Sequence, residues 1–117
     1  RVTEGNILEI AYNDNVNVEL QDITDLLKSV QEFTKGQPFK RLVIISPKAT
    51  IDKEARKYLQ EENHARRKTI IAEAVIVHSL THKMMFNIYS KFIKDIYPSR
   101  YFTDIEEARN WLKQQNN

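Results

Sequence analysis

Two groups of residues in this chain could do chemistry. Ser46, Lys48 and Thr50 follow one apolar run, and His78, Ser79, Thr81 and His82 follow another. Hydroxyls and imidazoles at such positions can hold an anion beside the free N–H groups of a helix N-terminus, touch a ligand, or accept a phosphoryl group. The same hydroxyls can also simply cap the helices that follow them. His78 and His82 are four apart, a spacing that suits two metal ligands on one helix. His78, however, falls at a strand end and His82 in a first helical turn, and no carboxylate partner lies close in sequence. No metal site is assigned. Glu73 is the one charged residue inside an apolar strand region and is expected to reach solvent at the strand start. It has no evident acid or base partner in sequence.

Several other chemistries are excluded. Gly5 and Gly36 are the only glycines, too few for a dinucleotide fingerprint or a P-loop, both of which need several glycines in one strand-to-helix turn. A nucleophile elbow needs glycines around its serine and is absent. Without cysteine there is no disulfide framework, thiolate nucleophile or cysteine zinc site. No cofactor is implied. The net charge of +2, from 18 basic and 16 acidic residues, is too balanced to argue for nucleic acid. The basic cluster Arg66-Arg67-Lys68, with Lys53, Arg56 and Lys57 upstream, is interleaved with Asp52, Glu54, Glu61 and Glu62, as on a solvated helix face. No apolar run approaches the ~20 residues of a membrane span. No secretory leader opens the chain, whose first residue is Arg1, so a preceding piece is expected. A cytoplasmic location is the default expectation.

The elements that must position these residues follow from hydrophobic spacing. Ile7–Tyr12 is a strand entered from the turn Gly5-Asn6 and left through Asn13-Asp14-Asn15. Leu20, Ile23, Leu26, Leu27, Val30 and Phe33 make one helical stripe, stopped by Gly36 and Pro38. Leu42–Ile45 is a continuous apolar run closed by Ser46-Pro47, as expected of a strand buried on both faces. Ile51, Ala55, Tyr58, Leu59 and Ala65 mark a second helix, with Thr50 or Asp52 as its cap. Ile70–Val77 is the third strand. Leu80, Met84, Met85, Ile88, Phe92 and Ile96 then repeat at helical spacing, ending before Pro98. A short strand at Arg100–Phe102 precedes a last helix, for which Thr103 and Glu106 read as a capping box. Ala108, Trp111 and Leu112 are its inner face.

Strict alternation of strand and helix over 117 residues predicts one α/β domain, residues 1–117, with a four- or five-stranded, mostly parallel sheet. Ligands of open parallel sheets bind outside the carboxyl ends of the strands. Those ends carry Ser46, Lys48, Thr50, His78, Ser79, Thr81 and His82, the expected ligand or partner surface.

The chain resembles the small bacterial STAS-like domains, related to anti-sigma-factor antagonists and similar in fold to CRAL-TRIO lipid-transfer domains. The resemblance rests on Gly5-Asn6-Ile7-Leu8-Glu9-Ile10, Thr34-Lys35-Gly36-Gln37-Pro38, Glu54-Ala55-Arg56, Ala74-Val75-Ile76-Val77-His78-Ser79, Phe102-Thr103-Asp104 and Glu107-Ala108-Arg109-Asn110-Trp111-Leu112. It implies a mixed sheet with helices mainly on one face. It also implies a non-catalytic regulatory module that binds a protein partner or small ligand. A sheet edge left open by a missing N-terminal strand makes a homodimer a candidate assembly. In that family a serine at the start of the second helix is the phosphorylation switch. Here Thr50-Ile51-Asp52-Lys53 has no such serine, and Thr50 is the nearest candidate phospho-acceptor. Two alternatives stand beside this reading. One is a carrier of an apolar or lipid ligand using the Met84-Met85-Phe86 region. The other is an enzyme of unassigned reaction.

Overall fold

The computed structural model describes residues 2–3, 6–46, 48–78 and 97–115. Their elements are β1 (Val2–Thr3), β2 (Ile7–Tyr12), β3 (Asn17–Val18), α1 (Leu20–Thr34), β4 (Phe39–Ile45), β5 (Thr50–Ile51), α2 (Lys53–Ala65), a 3-10 turn at Arg67–Thr69, β6 (Ile70–Ile76), β7 (Ser99–Phe102) and α3 (Ile105–Lys113). Strands β1, β2, β4, β6 and β7 form one sheet in that spatial order. β1 runs antiparallel to β2, and the other three pairings are parallel. The fold is therefore α/β with a mostly parallel sheet, as the alternation predicts. β3 and β5, too short to be legible in the sequence, form a separate parallel ladder.

For the four parallel strands, spatial order equals chain order. Right-handed crossovers then all step the same way, so their helices land on one face. α1 and α2 share that face and pack on each other through Ile23, Leu27 and Ala55, with Tyr12, Tyr58 and Leu59 alongside. α3 is not a crossover. It follows the last strand and folds back onto the opposite face, where Ala108 and Leu112 meet Leu42, Ala74, Ile76 and Phe102. Phe102 tilts against Trp111 with ring centroids 5.7 Å apart. The register pairs Leu42 with Ala74 and Ile44 with Ile76 on the α3 face, and Arg41 with Glu73 and Val43 with Val75 on the α1/α2 face. Val43, Val75, Ile76 and Val77 are buried, while Ile44, Leu26 and Trp111 are half-buried.

Two sequence expectations about helix ends change. The inner stripe of α1 is narrower than its apolar spacing suggests: Ile23 and Leu27 are buried, but Leu20 is 39% and Phe33 65% exposed. Leu20 lies in the first turn, beyond the cluster. Phe33 points roughly 100° away from the Ile23–Leu27 line at about 100° per residue. The cap of α3 is Asp104, not Thr103. Its carboxylate accepts the Glu107 N–H at 3.0 Å, which moves the helix start one residue on and takes Glu106 out of the capping position. The expected stop of α1 is found: Lys35 takes the left-handed conformation (φ 54°) and Gly36 follows at φ 77°, with the Lys35 N–H donating to the Gln31 carbonyl at 2.9 Å.

Candidate functional site

With both described crossovers on one face, α3 is the one described helix on the other. That helix lies mainly against β6 and β7. The described helices leave the upper part of β2 on this face uncovered, and Ala11 is exposed although it lies within a strand. The result is an open cleft of about 450 Å³ at the carboxyl ends of β2, β4 and β6, lined by Ala11, Tyr12, Asn13, Asp14, Ile44, Ser46 and His78. Strand alternation puts Ala11, Ile44, Ser46 and His78 on the same side of the sheet. Tyr12 faces the other way, packing against the Val43–Val75–Val77 cluster and the α1/α2 cluster.

The polar rim is built by hydrogen bonds. The Ser46 N–H donates to the Tyr12 carbonyl at 2.9 Å, which continues the β2–β4 ladder past its last paired residues. The Ser46 hydroxyl donates to the Asp14 carboxylate and accepts the Lys48 N–H at 3.2 Å. Beside this lies the β3–β5 ladder, closed by the Thr50 N–H to the Val16 carbonyl (2.8 Å) and the Asp52 N–H to the Val18 carbonyl (2.9 Å). Side chains repeat the tie: Thr50 Oγ1 donates to Asn17 Oδ1 at 2.8 Å, and Asn17 Nδ2 donates to Asp52 Oδ1 at 3.1 Å. The Asn13 side chain, the second Asp14 oxygen and the His78 imidazole have no hydrogen-bond partner among the described residues.

Of the surface predicted from sequence, Ser46 and His78 line the cleft, and Lys48 and Thr50 stand exposed nearby. Ser79, Thr81 and His82 lie outside the described residues, as do Met84, Met85 and Phe86. Thr50 does not cap α2. The N-cap is Asp52, and Thr50 sits two residues earlier in β5, where its hydroxyl holds β3. Among the described residues no group of three or more His, Asp or Glu side chains could hold a metal ion. Asp14 and Asn13 were read only as a polar turn. The rule that located Ser46 and His78, that sites lie beyond strand carboxyl ends, applies equally to β2 and would have found them.

A second polar centre lies under α2, and sequence reasoning missed it. Glu73 is not at the surface: it is 5% exposed and Arg41 6%. Arg41 Nε donates to Glu73 Oε2 at 2.7 Å, with a second guanidinium nitrogen 2.5 Å from the same oxygen. The guanidinium also donates to Asn63 Oδ1 of α2 at 3.1 Å and to the Tyr97 hydroxyl at 3.2 Å, and Ser99 Oγ donates to Glu73 Oε1 at 3.4 Å. Burial pushes the Tyr12 phenol above its ordinary pKa of 10.0. The nearby Arg41 charge opposes the shift, and the Glu73 charge adds to it.

The fold and this end of the sheet define an α/β domain with an open cleft and a hydrogen-bonded polar rim where parallel sheets place their ligands. The chain belongs to the family described as a domain of unknown function, DUF7793, whose model matches residues 2–116. No curated protein and no solved structure matches the chain. No helix among the described residues is long and apolar enough to cross a membrane.

Proposed function

We propose that this domain is a non-catalytic, STAS-like regulatory module of the cytoplasm that binds a protein partner with the surface at the carboxyl ends of β2, β4 and β6. One observation carries the reading. The rim is held in place by its own backbone and side-chain bonds, yet Asn13, His78 and one Asp14 oxygen keep hydrogen-bonding capacity facing outward. A surface ordered before binding loses less conformational freedom when a partner docks. The Ser46 hydroxyl is committed to a carboxylate rather than to His78, which suits a fixed contact point. Thr50, exposed in this surface, remains the candidate phospho-acceptor. A phosphate there would add about −1.5 to −2 charges beside Asn17 and Asp52, would remove the Thr50 hydroxyl as a donor to Asn17, and would change the charge that a docking partner meets.

The test is site-specific photo-crosslinking in cells of the source organism. A photoreactive side chain replacing Lys48, at the rim, should capture a discrete protein partner. The same side chain replacing Lys113, at the far end of α3, should not. Equal capture from both positions, or none from position 48, would remove the reading.

A further inference from the structure

We propose that the cleft receives an arginine side chain of the protein partner. This deepens the module reading and rests on it. The cleft has an apolar floor, Ala11 and Ile44, and a polar rim on which, among the described residues and with neutral histidine, the Asp14 carboxylate is the one formal charge. One oxygen of that carboxylate takes the Ser46 hydroxyl, and the other has no partner among the described residues. Asn13 adds an amide oxygen next in sequence, and His78 an imidazole, likewise without partners among the described residues. These groups offer acceptors around an apolar slot, the inverse of an anion site. Among the described residues, Lys48 is exposed and makes no ion pair with Asp14, Arg100 lies over the Phe102 ring, and Arg109 of α3 is held by Glu9 and Glu106.

Arginine matches this arrangement better than other basic groups. Its three-carbon stem can lie on Ala11 and Ile44 while its head stays at the wet rim. The guanidinium has five donors in a plane and no acceptor, so it can meet a carboxylate oxygen and a neighbouring amide oxygen together. An ammonium is a compact point charge that would keep more of its water. Charge-assisted hydrogen bonds are roughly twice as strong as neutral ones, so the carboxylate should dominate the recognition.

The experiment titrates 15N-labelled protein with Nα-acetyl-arginine-N-methylamide and, separately, with its neutral citrulline counterpart, following backbone amide shifts. For so small a ligand an affinity of about 1 mM or weaker is expected. Arginine should give saturable shifts at Asn13, Asp14, Ser46 and His78. Citrulline should bind at least about tenfold more weakly. Asp14→Asn should reduce arginine binding to the citrulline level, whereas Ser46→Ala, which frees the second carboxylate oxygen, should preserve or tighten it. Equal binding of arginine and citrulline, saturation at residues away from the cleft, or no saturable shift up to about 100 mM would overturn the proposal. A partner that still crosslinks from position 48 in the Asp14→Asn protein would remove the arginine anchor and leave the binding module standing. Loss of crosslinking from position 48 in the unsubstituted protein would remove the module itself.

Discussion

Arg41 with Glu73, and Arg109 with Glu9, are the same chemical pair in two settings. The first lies between the sheet and α2 with side chains 8% and 7% exposed. The second joins α3 to β2 with Arg109 25% and Glu9 9% exposed. In the first, the guanidinium also serves Asn63 and Tyr97, and the carboxylate also serves Ser99. In the second, Arg109 makes two 3.1 Å bonds to Glu9 and one of 2.7 Å to Glu106 in its own helix. These two carboxylates, Glu9 first, hold the Arg109 guanidinium above its ordinary pKa. Burial sets the consequence. Where water is excluded, a partner lost cannot be replaced, so the pair defines which helix sits where. Where water enters, the pair adjusts a contact that Ala108 and Leu112 already make.

The largest expected effect is on the buried side. Glu73→Leu leaves the Arg41 charge buried without its carboxylate and should lose about 3–5 kcal/mol in a chemical denaturation series. An unchanged midpoint would mean that water replaces the carboxylate, and that the two faces do not differ. Adding Arg41→Met to Glu73→Leu should recover more than half of the loss, because apolar residues of similar volume substitute well for a buried pair. A double variant as unstable as the single one would place the energy in the Asn63 and Tyr97 contacts instead.

On the other face, Asp104→Ala should cost about 0.5–2 kcal/mol through loss of the α3 cap. Thr103→Ala should stay within about 0.5 kcal/mol. The reverse order would return the cap to Thr103. Arg109→Gln should shift the midpoint less than Glu73→Leu, and the shift should shrink as salt is added, since partly exposed pairs are screened. A salt-independent loss equal to that of Glu73→Leu would erase the contrast.

The smallest effect concerns Tyr12, which borders both the buried pair and the cleft. Its unfolded phenol titrates near 10.0 and its folded phenol higher, so the native state holds the proton more tightly. The stability that this group contributes is full below pH 10 and is lost as pH rises through the folded value. Tyr12→Phe should therefore flatten the fall in thermal midpoint above pH 10 and leave the profile below it unchanged. Identical profiles for the two proteins would show that Tyr12 is not buried against the pair.

Much of the fold was legible because it depends on local pattern. Val43 and Ile44, like Val75 and Ile76, sit in short β-branched runs that only a strand buried on both faces uses well, and Gly36 marks a helix end through a backbone conformation that suits glycine. The cleft was half legible. Ser46 and His78 follow from the rule about strand ends, but Asp14 looked like ordinary turn chemistry because Asn13-Asp14-Asn15 satisfies that pattern equally well. Glu73 was misread for a related reason. Its partner Arg41 is 32 residues away, and no local pattern reports on a pairing between neighbouring strands.

Alternating strand and helix periodicity, set by side-chain transfer from water and by turn residues, determined an α/β domain with a mostly parallel sheet. Order of strands in space, strand register and helix placement were decided only by tertiary structure, because each depends on which surfaces meet rather than on any one segment. Spatial order equal to chain order sent α1 and α2 to one face, with α3 the one described helix on the other. Register brought Arg41 opposite Glu73 and Leu42 opposite Ala74. The half-covered face that remained opened the cleft over Ala11 and Ile44, where Asp14 meets Ser46.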